Sequence, residues 1–357
     1  MKRNGINRRD ILRQFGIGAM TAAIAGNTFL AGCAAESIKQ AATVNKPNGK
    51  RKLYEKITQP SRVALVKGND RREIVYQSLK MIENEIVPSI GNKQILIKPN
   101  MVTTGNPLCA THPDAVRAVL DFLKPHYKKQ IIIGESTAFR GTTFDGFKEY
   151  GYLPLEKEYD VKLVDLNQQP RHYGYVIAEG NRPQRIRFIS TFFDPDVFII
   201  SVARMKTHDR VVVTLSLKNI LLGCPVSDGE NNDKFLMHTG RIAIDTILHF
   251  NMFHLAQQIY PDLSVIDGFE GMEGDGPIRG TPFDSRVALA GTDPLAADTL
   301  ATKIMGFDPK RILYLSAMNE AGLGQGDIDK INVLGTPLDQ CLYHFKPNHL
   351  MAKLYNL

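Results

Sequence analysis

The sequence predicts an α/β fold with a mainly parallel sheet flanked by helices. Short runs of Val, Ile and Leu alternate with longer amphipathic segments from about residue 62 onwards. The apolar runs show little alternation with polar residues, which is typical of strands buried on both faces of a parallel sheet. About 300 residues of this pattern suit one body, or two lobes that meet near residues 170–195.

Eight strand candidates follow one another along the chain. In chain order they are RVALVKG, QILIKPN, QIIIGES, VKLVDL, DVFIISVAR, LSVIDG, RVALAG and INVLG. Helices are predicted between them at residues 71–87, after Pro113, around residues 142–150 and from Asp293. The segment RHYGYVIAEGNRPQRIRF, at residues 171–188, is typical of a hairpin-bearing insertion.

Two of the predicted helices have clear start signals. The helix after Pro113 carries an apolar stripe at helical spacing, formed by Val116, Val119, Leu120 and Leu123. Thr111 is positioned to cap it, with Asp114 three residues further on as in a capping box. The later helix has Asp293 as its predicted N-cap and Pro294 in its first turn.

The first 33 residues are typical of a removable export segment. Arg8 and Arg9 stand in a polar, basic start and resemble a twin-arginine signal, which exports folded proteins. Residues 15–32 are apolar but too rich in Gly and Ala for a transmembrane helix. The run LAGC then resembles a lipobox, in which Cys33 is lipidated. The alternative is a plain membrane anchor with Cys33 as an ordinary apolar residue.

These signals predict where the protein works and how it is divided. We expect a signal peptide at 1–33, a polar flexible tether at 34–60, an α/β domain at 61–340 and a tail at 341–357. The twin-arginine export machinery and the membrane, through the lipid on Cys33, are the predicted partners. The predicted location is the cell envelope, on the periplasmic side in a Gram-negative cell.

The charge balance gives no support for nucleic-acid binding. Five basic residues against one acidic residue in 1–33 account for +4 of the formal charge of +7, which leaves about +3 for the rest. That remainder is only mildly basic. No nucleic-acid partner is therefore expected.

The cysteines exclude the common metal clusters. Cys109, Cys224 and Cys341 are widely separated, and the chain contains no Cys-x-x-Cys. Three cysteines cannot supply a four-cysteine iron–sulfur site, and the spacing of structural zinc sites is absent. We expect no iron–sulfur cluster. An oxidising compartment permits one disulfide among the three, and the sequence leaves the pairing open.

Polar residues collect where the predicted strands end. The five strand ends are Lys98-Pro99-Asn100, Gly134-Glu135-Ser136, Lys206-Thr207-His208, Asp267 to Gly271, and Gly291-Thr292-Asp293. In a parallel α/β sheet, ligands bind outside the carboxyl ends of the strands. The five ends are therefore predicted to form one polar rim.

The segment ARMKTHDRVVVTLSLKN places polar side chains on both sides of an apolar run. Lys206 and His208 precede residues 211–213, and Lys218 and Asn219 follow them. A buried lysine needs a partner or a ligand, because an unpaired buried charge is costly. The segment is predicted to clamp a ligand against Lys98 and Asn100, which belong to another strand end of the same rim. The alternative is that each side chain is an ordinary satisfied residue.

A Gly-rich acidic loop, DGFEGMEGDGPIRG, runs from Asp267 to Gly280. Glycines permit sharp turns, and carboxylates among them are suited to Mg²⁺ or Ca²⁺. Asp267 and Glu273, with Asp298 from the later helix, are the candidate ligands. An acidic turn without metal is the alternative, since the spacing matches neither an EF-hand nor a P-loop.

Several blocks of this chain resemble one family. They are KPNMV, THPDAVRAV, ISVARMKTHDRVVVTLSLKN, VIDGFEGMEGDGP and TDPLAADTLATKIMG, together with His238. In this order they resemble the bacterial and archaeal family called domain of unknown function 362, over roughly residues 62–335. The resemblance implies that the family's recurring positions here are Lys98, Asn100, Thr111, His112, Lys206, His208, Lys218, Asn219, His238, Glu273, Gly276 and Asp298. Some relatives carry ferredoxin-like cysteine motifs, which this chain lacks.

Two hypotheses for the function follow. The first is an enzyme acting on a small anionic substrate, a carboxylate or a phosphate. His208 would act as acid or base, with Lys206, Lys218 and Asn219 as further catalytic groups. The candidate substrate-binding residues are Lys98, Asn100, Thr111, His112, His238 and Gly276. The second hypothesis is a non-catalytic ligand-binding or assembly factor at the envelope, which would use the same residues without proton transfer.

Overall fold

The computed structural model describes residues 59–138, 141–178, 180–229, 231–238 and 246–355. These residues fall within one compact unit, so the described chain is not divided into two lobes. The predicted signal peptide, its Cys33 and the tether up to residue 58 lie outside the described residues.

A mixed sheet forms the centre of the protein. Its strands are β1 (Ser61–Lys67), β2 (Gln94–Pro99), β3 (Ile131–Glu135), β4 (Val161–Asp165), β7 (Val197–His208), β8 (Val212–Thr214), β9 (Leu263–Glu273), β10 (Thr281–Gly291) and β11 (Ile331–Gly335). Their order is β11-β1-β10-β9-β7-β2-β3-β4, with β8 beside β7. The strands from β9 to β4 pair parallel, as do β1 and β11. β10 pairs antiparallel with both β1 and β9. The predicted, mainly parallel α/β sheet is thus confirmed.

The predicted hairpin is also confirmed. β5 (Arg171–Ala178) and β6 (Arg182–Ile189) pair antiparallel in a separate two-stranded sheet. The inward side chains of β6, such as Ile186 and Phe188, are buried in the core, whereas Tyr173 and Tyr175 of β5 are exposed. One face of the hairpin is therefore packed and the other faces solvent.

Helices cover both faces of the sheet. They are α1 (Arg71–Lys80), α2 (Glu83–Ile90), α3 (Pro113–Leu123), α4 (Thr143–Glu149), α5 (Leu155–Glu158), α6 (Ser216–Leu221), α7 (Thr246–Ala256), α8 (Pro294–Ile304), α9 (Leu313–Ala321) and α10 (His349–Tyr355). The single helix predicted at 71–87 is two helices, because Ile82 leaves the helical region with φ −122°.

The sheet separates two apolar cores. Leu96 of β2 points into one core, and its neighbours Ile95 and Ile97 point into the other. Successive side chains of a strand point to opposite faces, so a strand with a core on each side is apolar throughout. This explains why the apolar runs show no alternation in the sequence.

Of the two predicted helix caps, one is confirmed and the other is wrong. Asp293 caps α8 as predicted, accepting hydrogen bonds from the backbone N–H groups of the next turn. At α3 the cap is His112, whose ring accepts from the backbone N–H of Asp114. The prediction of Thr111 as cap is wrong, because its hydroxyl donates to the Val202 carbonyl oxygen at 2.6 Å.

The C-terminal segment, part of the predicted tail, packs on the sheet. Phe345 is buried against Phe283 of β10, with ring centroids 4.1 Å apart. Met351 of α10 is fully buried. The last described residues therefore contribute to the core.

Candidate functional site

The carboxyl ends of β2, β3 and β7 lie side by side, because β3 and β7 both pair parallel with β2. A cavity of about 420 Å³ opens at this edge of the sheet. Its volume is within the range of small-molecule sites. We call it the rim cavity. Three of the five predicted strand ends meet here.

The polar lining of the rim cavity is mostly basic. Its described charged and imidazole side chains are Lys98, Glu135, His208, Asp209, Arg210, Lys218, Lys234 and His238. Its apolar side chains are Met101, Val102, Leu222, Phe235, Pro277 and Ile278. Four lysines and arginines against two carboxylates in this described lining make its formal charge positive, which favours an anion.

Lys98 lies in the floor of the cavity with its hydrogen bonds complete. Its Nζ donates to Glu135 Oε1 at 2.5 Å, to the Pro99 carbonyl oxygen at 2.9 Å and to Asn219 Oδ1 at 3.1 Å. A lysine ammonium has three donors, so all of them are used. Burial lowers the pKa of Lys98, and the charge of Glu135 opposes that shift. Lys98 therefore holds the floor together.

Asn219 is part of the same network. Its Nδ2 donates to the Lys98 carbonyl oxygen and to Ser201 Oγ, each at 3.0 Å. Its Oδ1 accepts from Lys98 and, at 3.2 Å, from Asn100 Nδ2. The amide joins α6 to β2 and β7, and it lines the cavity with its donors already engaged.

Lys206 lies behind the rim cavity rather than in its described lining. It is fully buried, and its Nζ donates to Asn100 Oδ1 at 2.5 Å and to the Cys109 carbonyl oxygen at 2.9 Å. Burial lowers the pKa of Lys206 to about 7. Its position supports Asn100 from below.

Lys218 is the exception among these lysines. The residue is 9% exposed, and it lines the cavity. Among the described residues none accepts a hydrogen bond from its ammonium, and none forms an ion pair with it. Burial lowers the pKa of Lys218 to about 8, against an opposing effect of the Asp209 carboxylate. The protein therefore buries this amine without satisfying it, although such burial is costly.

Thr214 adds a second unsatisfied group to the lining. It ends β8, four residues before Lys218, and it lines the cavity. Its buried hydroxyl has no hydrogen-bond partner among the described residues. Buried polar atoms are usually paired, so an unpaired hydroxyl and an unpaired amine in the lining of one cavity indicate a place for a ligand.

His208 is present as a neutral imidazole. Burial lowers its pKa well below the ordinary value, and the charge of Lys218 adds to this effect. Its Nδ1 accepts a hydrogen bond from the backbone N–H of Arg210 at 3.0 Å. This bond assigns the ring proton to Nε2. His208 is therefore able to donate one hydrogen bond to a ligand.

Lys234, in the short 3₁₀ segment Asp233–Met237, was missed by the sequence analysis. Its Nζ donates to Ser136 Oγ at 3.0 Å and to the carbonyl oxygens of Leu222, Gly223 and Pro225 at 3.1, 3.0 and 2.7 Å. Burial lowers its pKa to about 7.

The lining residues Asp209 and Arg210 were not predicted from the sequence either. They directly follow His208, and this proximity was the signal that could have found them.

Several residues implied by the family resemblance lie beside the cavity. His238 is in its lining. Thr111 is buried below Asn100, and its hydroxyl accepts a hydrogen bond from the Asn100 backbone N–H at 2.9 Å. His112 lies at the start of α3, outside the lining.

A Cβ at Gly276 would lie 2.2 Å from the Thr207 carbonyl oxygen. The close approach at Gly276 brings the following Pro277 and Ile278 into the lining.

The three predicted metal ligands do not converge. Asp267 is bonded to Arg71, with Nε 3.2 Å from Oδ2. Glu273 accepts from the Lys346 backbone N–H at 2.9 Å. Asp298 accepts from the first two backbone N–H groups of α6, and burial raises its pKa to about 8. No cluster of three metal-binding side chains occurs within the described ranges. Each carboxylate instead serves a structural contact.

Two of the five strand ends were wrongly assigned to the rim. Gly291 of β10 is opposite Ser264 at the start of β9, because β10 is antiparallel to β9. Asp293 therefore lies at the opposite edge of the sheet. Asp267 lies within β9, which continues to Glu273, so it is not a strand end.

The three cysteines of the described body form no disulfide. Cys109, Cys224 and Cys341 are buried thiols. Burial raises the pKa of each, for Cys109 against the nearby charge of Lys206. They are therefore inert, structural side chains in this fold.

Fold and cavity together define an α/β protein with a basic cavity at the carboxyl edge of its sheet. A family model named domain of unknown function (DUF362) matches residues 95–303. The chain belongs to this family. The matched range includes every described side chain of the cavity lining.

The chain is similar to a Synechocystis sp. thylakoid-associated protein. It is 29% identical over 241 residues, which cover 64% of this chain and 68% of the relative. A crystal structure of a Thermotoga maritima protein has 13% identity and a TM-score of 0.38. The match covers 72% of this chain and 59% of that one. At that TM-score the likeness supports no argument about function.

None of the described helices within residues 59–355 is both long enough and apolar enough to cross a bilayer.

Proposed function

We propose that the protein is an enzyme acting on a small carboxylate- or phosphate-bearing molecule bound in the rim cavity. The observation that carries this proposal is Lys218, a buried amine facing the cavity without a described partner. A buried ammonium without a partner is costly, and an anionic ligand would offset that cost. The basic lining favours the same charge of ligand.

The neighbouring groups define how such a ligand would be held. Lys218 supplies the charge, and the His208 Nε2–H and the Thr214 hydroxyl each supply a hydrogen-bond donor. Lys98, Asn100 and Asn219 form the hydrogen-bonded floor and hold these groups in place. Rigid donors in a cavity with apolar walls stabilise negative charge that develops during a reaction.

Binding is tested by titration calorimetry with propionate and with inorganic phosphate. Wild-type protein is expected to bind at least one of them, and Lys218→Met is expected to bind about tenfold more weakly or worse. Lys330→Met is the matched control, because Lys330 is a surface lysine with 56% of its side chain exposed. Equal binding by wild type and Lys218→Met would rule the proposal out.

Turnover is tested separately with a panel of small organic acids and phosphate esters. Loss of turnover in His208→Ala is expected, because the variant lacks the Nε2–H donor. Unchanged turnover would remove His208 from the mechanism.

A second candidate function is binding without turnover, as a carrier or assembly factor. The observation that favours it is the His208 ring, whose Nδ1 is occupied and whose Nε2 holds the proton. In that state the imidazole is a donor and not a base. A ligand that copurifies at full occupancy and is never converted would support this candidate.

We also propose that the protein is exported and lipid-anchored through Cys33. The support is the order of signals in residues 1–33, namely paired arginines, an apolar segment and the LAGC run. Metabolic labelling with a fatty acid is expected to mark the wild type and not Cys33→Ala. Labelling of both proteins would refute the lipobox assignment.

A further inference from the structure

The amine of Lys218 is placed for covalent chemistry as well as for charge. It projects into the rim cavity with no hydrogen-bond acceptor among the described residues. The other described lysines of that lining, Lys98 and Lys234, are each held by three or more acceptors. A lysine held in this way cannot act as a nucleophile, because its nitrogen is committed to donating. Lys218 is the one lysine of the described lining whose nitrogen donates no hydrogen bond.

The surroundings of Lys218 match those of amine nucleophiles. Apolar side chains such as Met101 and Leu222 line the same cavity. Desolvation favours the neutral amine, which is the nucleophilic form, and it outweighs the opposing charge of the Asp209 carboxylate. The pKa of Lys218, about 8, agrees with this environment.

We propose that Lys218 forms a Schiff base with the carbonyl carbon of a small oxo acid. The carboxylate of such a molecule suits the basic lining, and its carbonyl group suits the amine. The Thr214 hydroxyl, unpaired among the described residues, is available to donate to the oxygen of the carbonyl group. This inference rests on the proposed anion-binding function and names the substrate class for it.

The reaction balances without any other reactant. The neutral amine attacks the carbonyl carbon, a C–N bond forms, and the C=O π electrons move to oxygen, which takes a proton. The carbinolamine then expels this oxygen as water while the nitrogen lone pair forms the C=N bond. Starting from the ammonium and the oxo acid, the products are a protonated imine and one water molecule. Nothing is oxidised or reduced.

The test traps the imine by reduction. The wild-type protein is incubated with pyruvate and sodium cyanoborohydride at a pH near the Lys218 pKa of about 8, and the products are examined by intact mass and peptide mapping. Cyanoborohydride delivers hydride to the protonated imine and fixes the adduct. We expect one reduced imine adduct of pyruvate per chain, located on Lys218. Lys330→Met should give the same adduct, and Lys218→Met should give none.

A second variant tests the site without removing the amine. Thr214→Val keeps the shape of the residue and removes the hydroxyl, and it should slow trapping roughly five- to tenfold. An unchanged trapping rate in Thr214→Val would exclude the hydroxyl from the reaction.

Propionate, which has no carbonyl group to attack, separates this inference from the proposed function. Calorimetric binding of propionate and pyruvate without any trapped adduct would overturn the Schiff base and leave anion binding standing. Absence of both binding and adduct would overturn both. Equal labelling of wild type and Lys218→Met would also overturn the Schiff base, because the adduct would then lie on other lysines.

Discussion

Asp293 and Lys218 are both buried charged residues of the same α/β body, but the fold treats them differently. Asp293 lies at the edge where β10 ends, and it accepts from Ser61 Oγ at 2.6 Å and from the Gln325 backbone N–H at 2.8 Å. It also caps α8. Lys218, at the rim cavity, has no hydrogen-bond acceptor among the described residues.

The difference separates structural polar residues from candidate functional ones. Both residues follow apolar runs, so the sequence pattern alone assigned them to one site. The satisfied carboxylate stabilises the fold, whereas the unsatisfied amine costs stability that only a ligand recovers. Four substitutions test this contrast, in decreasing order of the expected change in stability.

Glu135→Gln should cause the largest loss of stability. The substitution keeps the shape of the side chain but leaves the buried Lys98 ammonium without its counter-charge. Breaking a buried ion pair in this way costs about 3–5 kcal/mol. Denaturant unfolding measures the loss. Glu83→Gln is the control and should show a much smaller loss, because Glu83 is partly exposed and its pairs with Lys80 and His126 lie at the surface.

Asp293→Ala should be the next most destabilising. It removes the cap of α8 and leaves the Ser61 hydroxyl and the Gln325 N–H without their acceptor, for an expected cost of about 2–3 kcal/mol. Asp308→Ala is the control, because Asp308 is exposed and accepts from a single backbone N–H. Equal losses for the two variants would contradict the structural role of Asp293.

Gly223→Ala should disturb the cavity floor. A Cβ there would lie 2.5 Å from the Asn219 carbonyl oxygen and 2.6 Å from Lys98 Cε. We expect a loss of about 2 kcal/mol from this overpacking, together with weaker propionate binding in calorimetry. Gly291→Ala is the matched control, since its nearest contact would be 3.5 Å. Normal stability and binding in Gly223→Ala would show that the floor is not rigid.

Lys218→Met should be slightly more stable than the wild type at pH 7, by about 1 kcal/mol, because it removes a buried ammonium without a described partner. The pKa of Lys218 is 10.5 unfolded and about 8 folded. Below pH 8 both states are protonated, and the burial cost is complete.

Between pH 8 and pH 10.5 the unfolded chain binds more protons, so the stability of the wild type rises with pH. The advantage of Lys218→Met should therefore shrink as the pH rises through this window. Urea unfolding at pH 7 and pH 10 measures both values. A constant difference would mean that Lys218 does not titrate as the structure indicates.

Local patterns predicted the outline of the molecule well. The absence of alternation in runs such as QILIKPN predicted strands between two cores, and the hairpin at 171–188 was recognised from its own turn and flanking residues. The predicted end of β2 at Lys98 and the predicted end of β3 at Glu135 both reached the rim. These features depend on neighbours in the chain, so the sequence displays them directly.

Other features depended on partners far along the chain. The direction of β10 placed Asp293 at the wrong edge for the predicted rim, and the extension of β9 to Glu273 turned Asp267 into a mid-strand residue. Lys234 follows no apolar run, and only folding brings it to the Gly223 carbonyl. The predicted metal ligands Glu273 and Asp298 do not meet. Glu273 accepts a hydrogen bond from the Lys346 backbone N–H, whereas Asp298 accepts from the first two backbone N–H groups of α6.

The α/β class, the strands with a core on each face and the polar character of three strand ends could all be predicted from the sequence. Those properties follow from side-chain chemistry and short-range periodicity. The tertiary structure alone decided which lysines are satisfied. Lys98, Lys206 and Lys234 each donate to at least one acceptor from a segment distant in sequence. None of the described segments supplies an acceptor to Lys218.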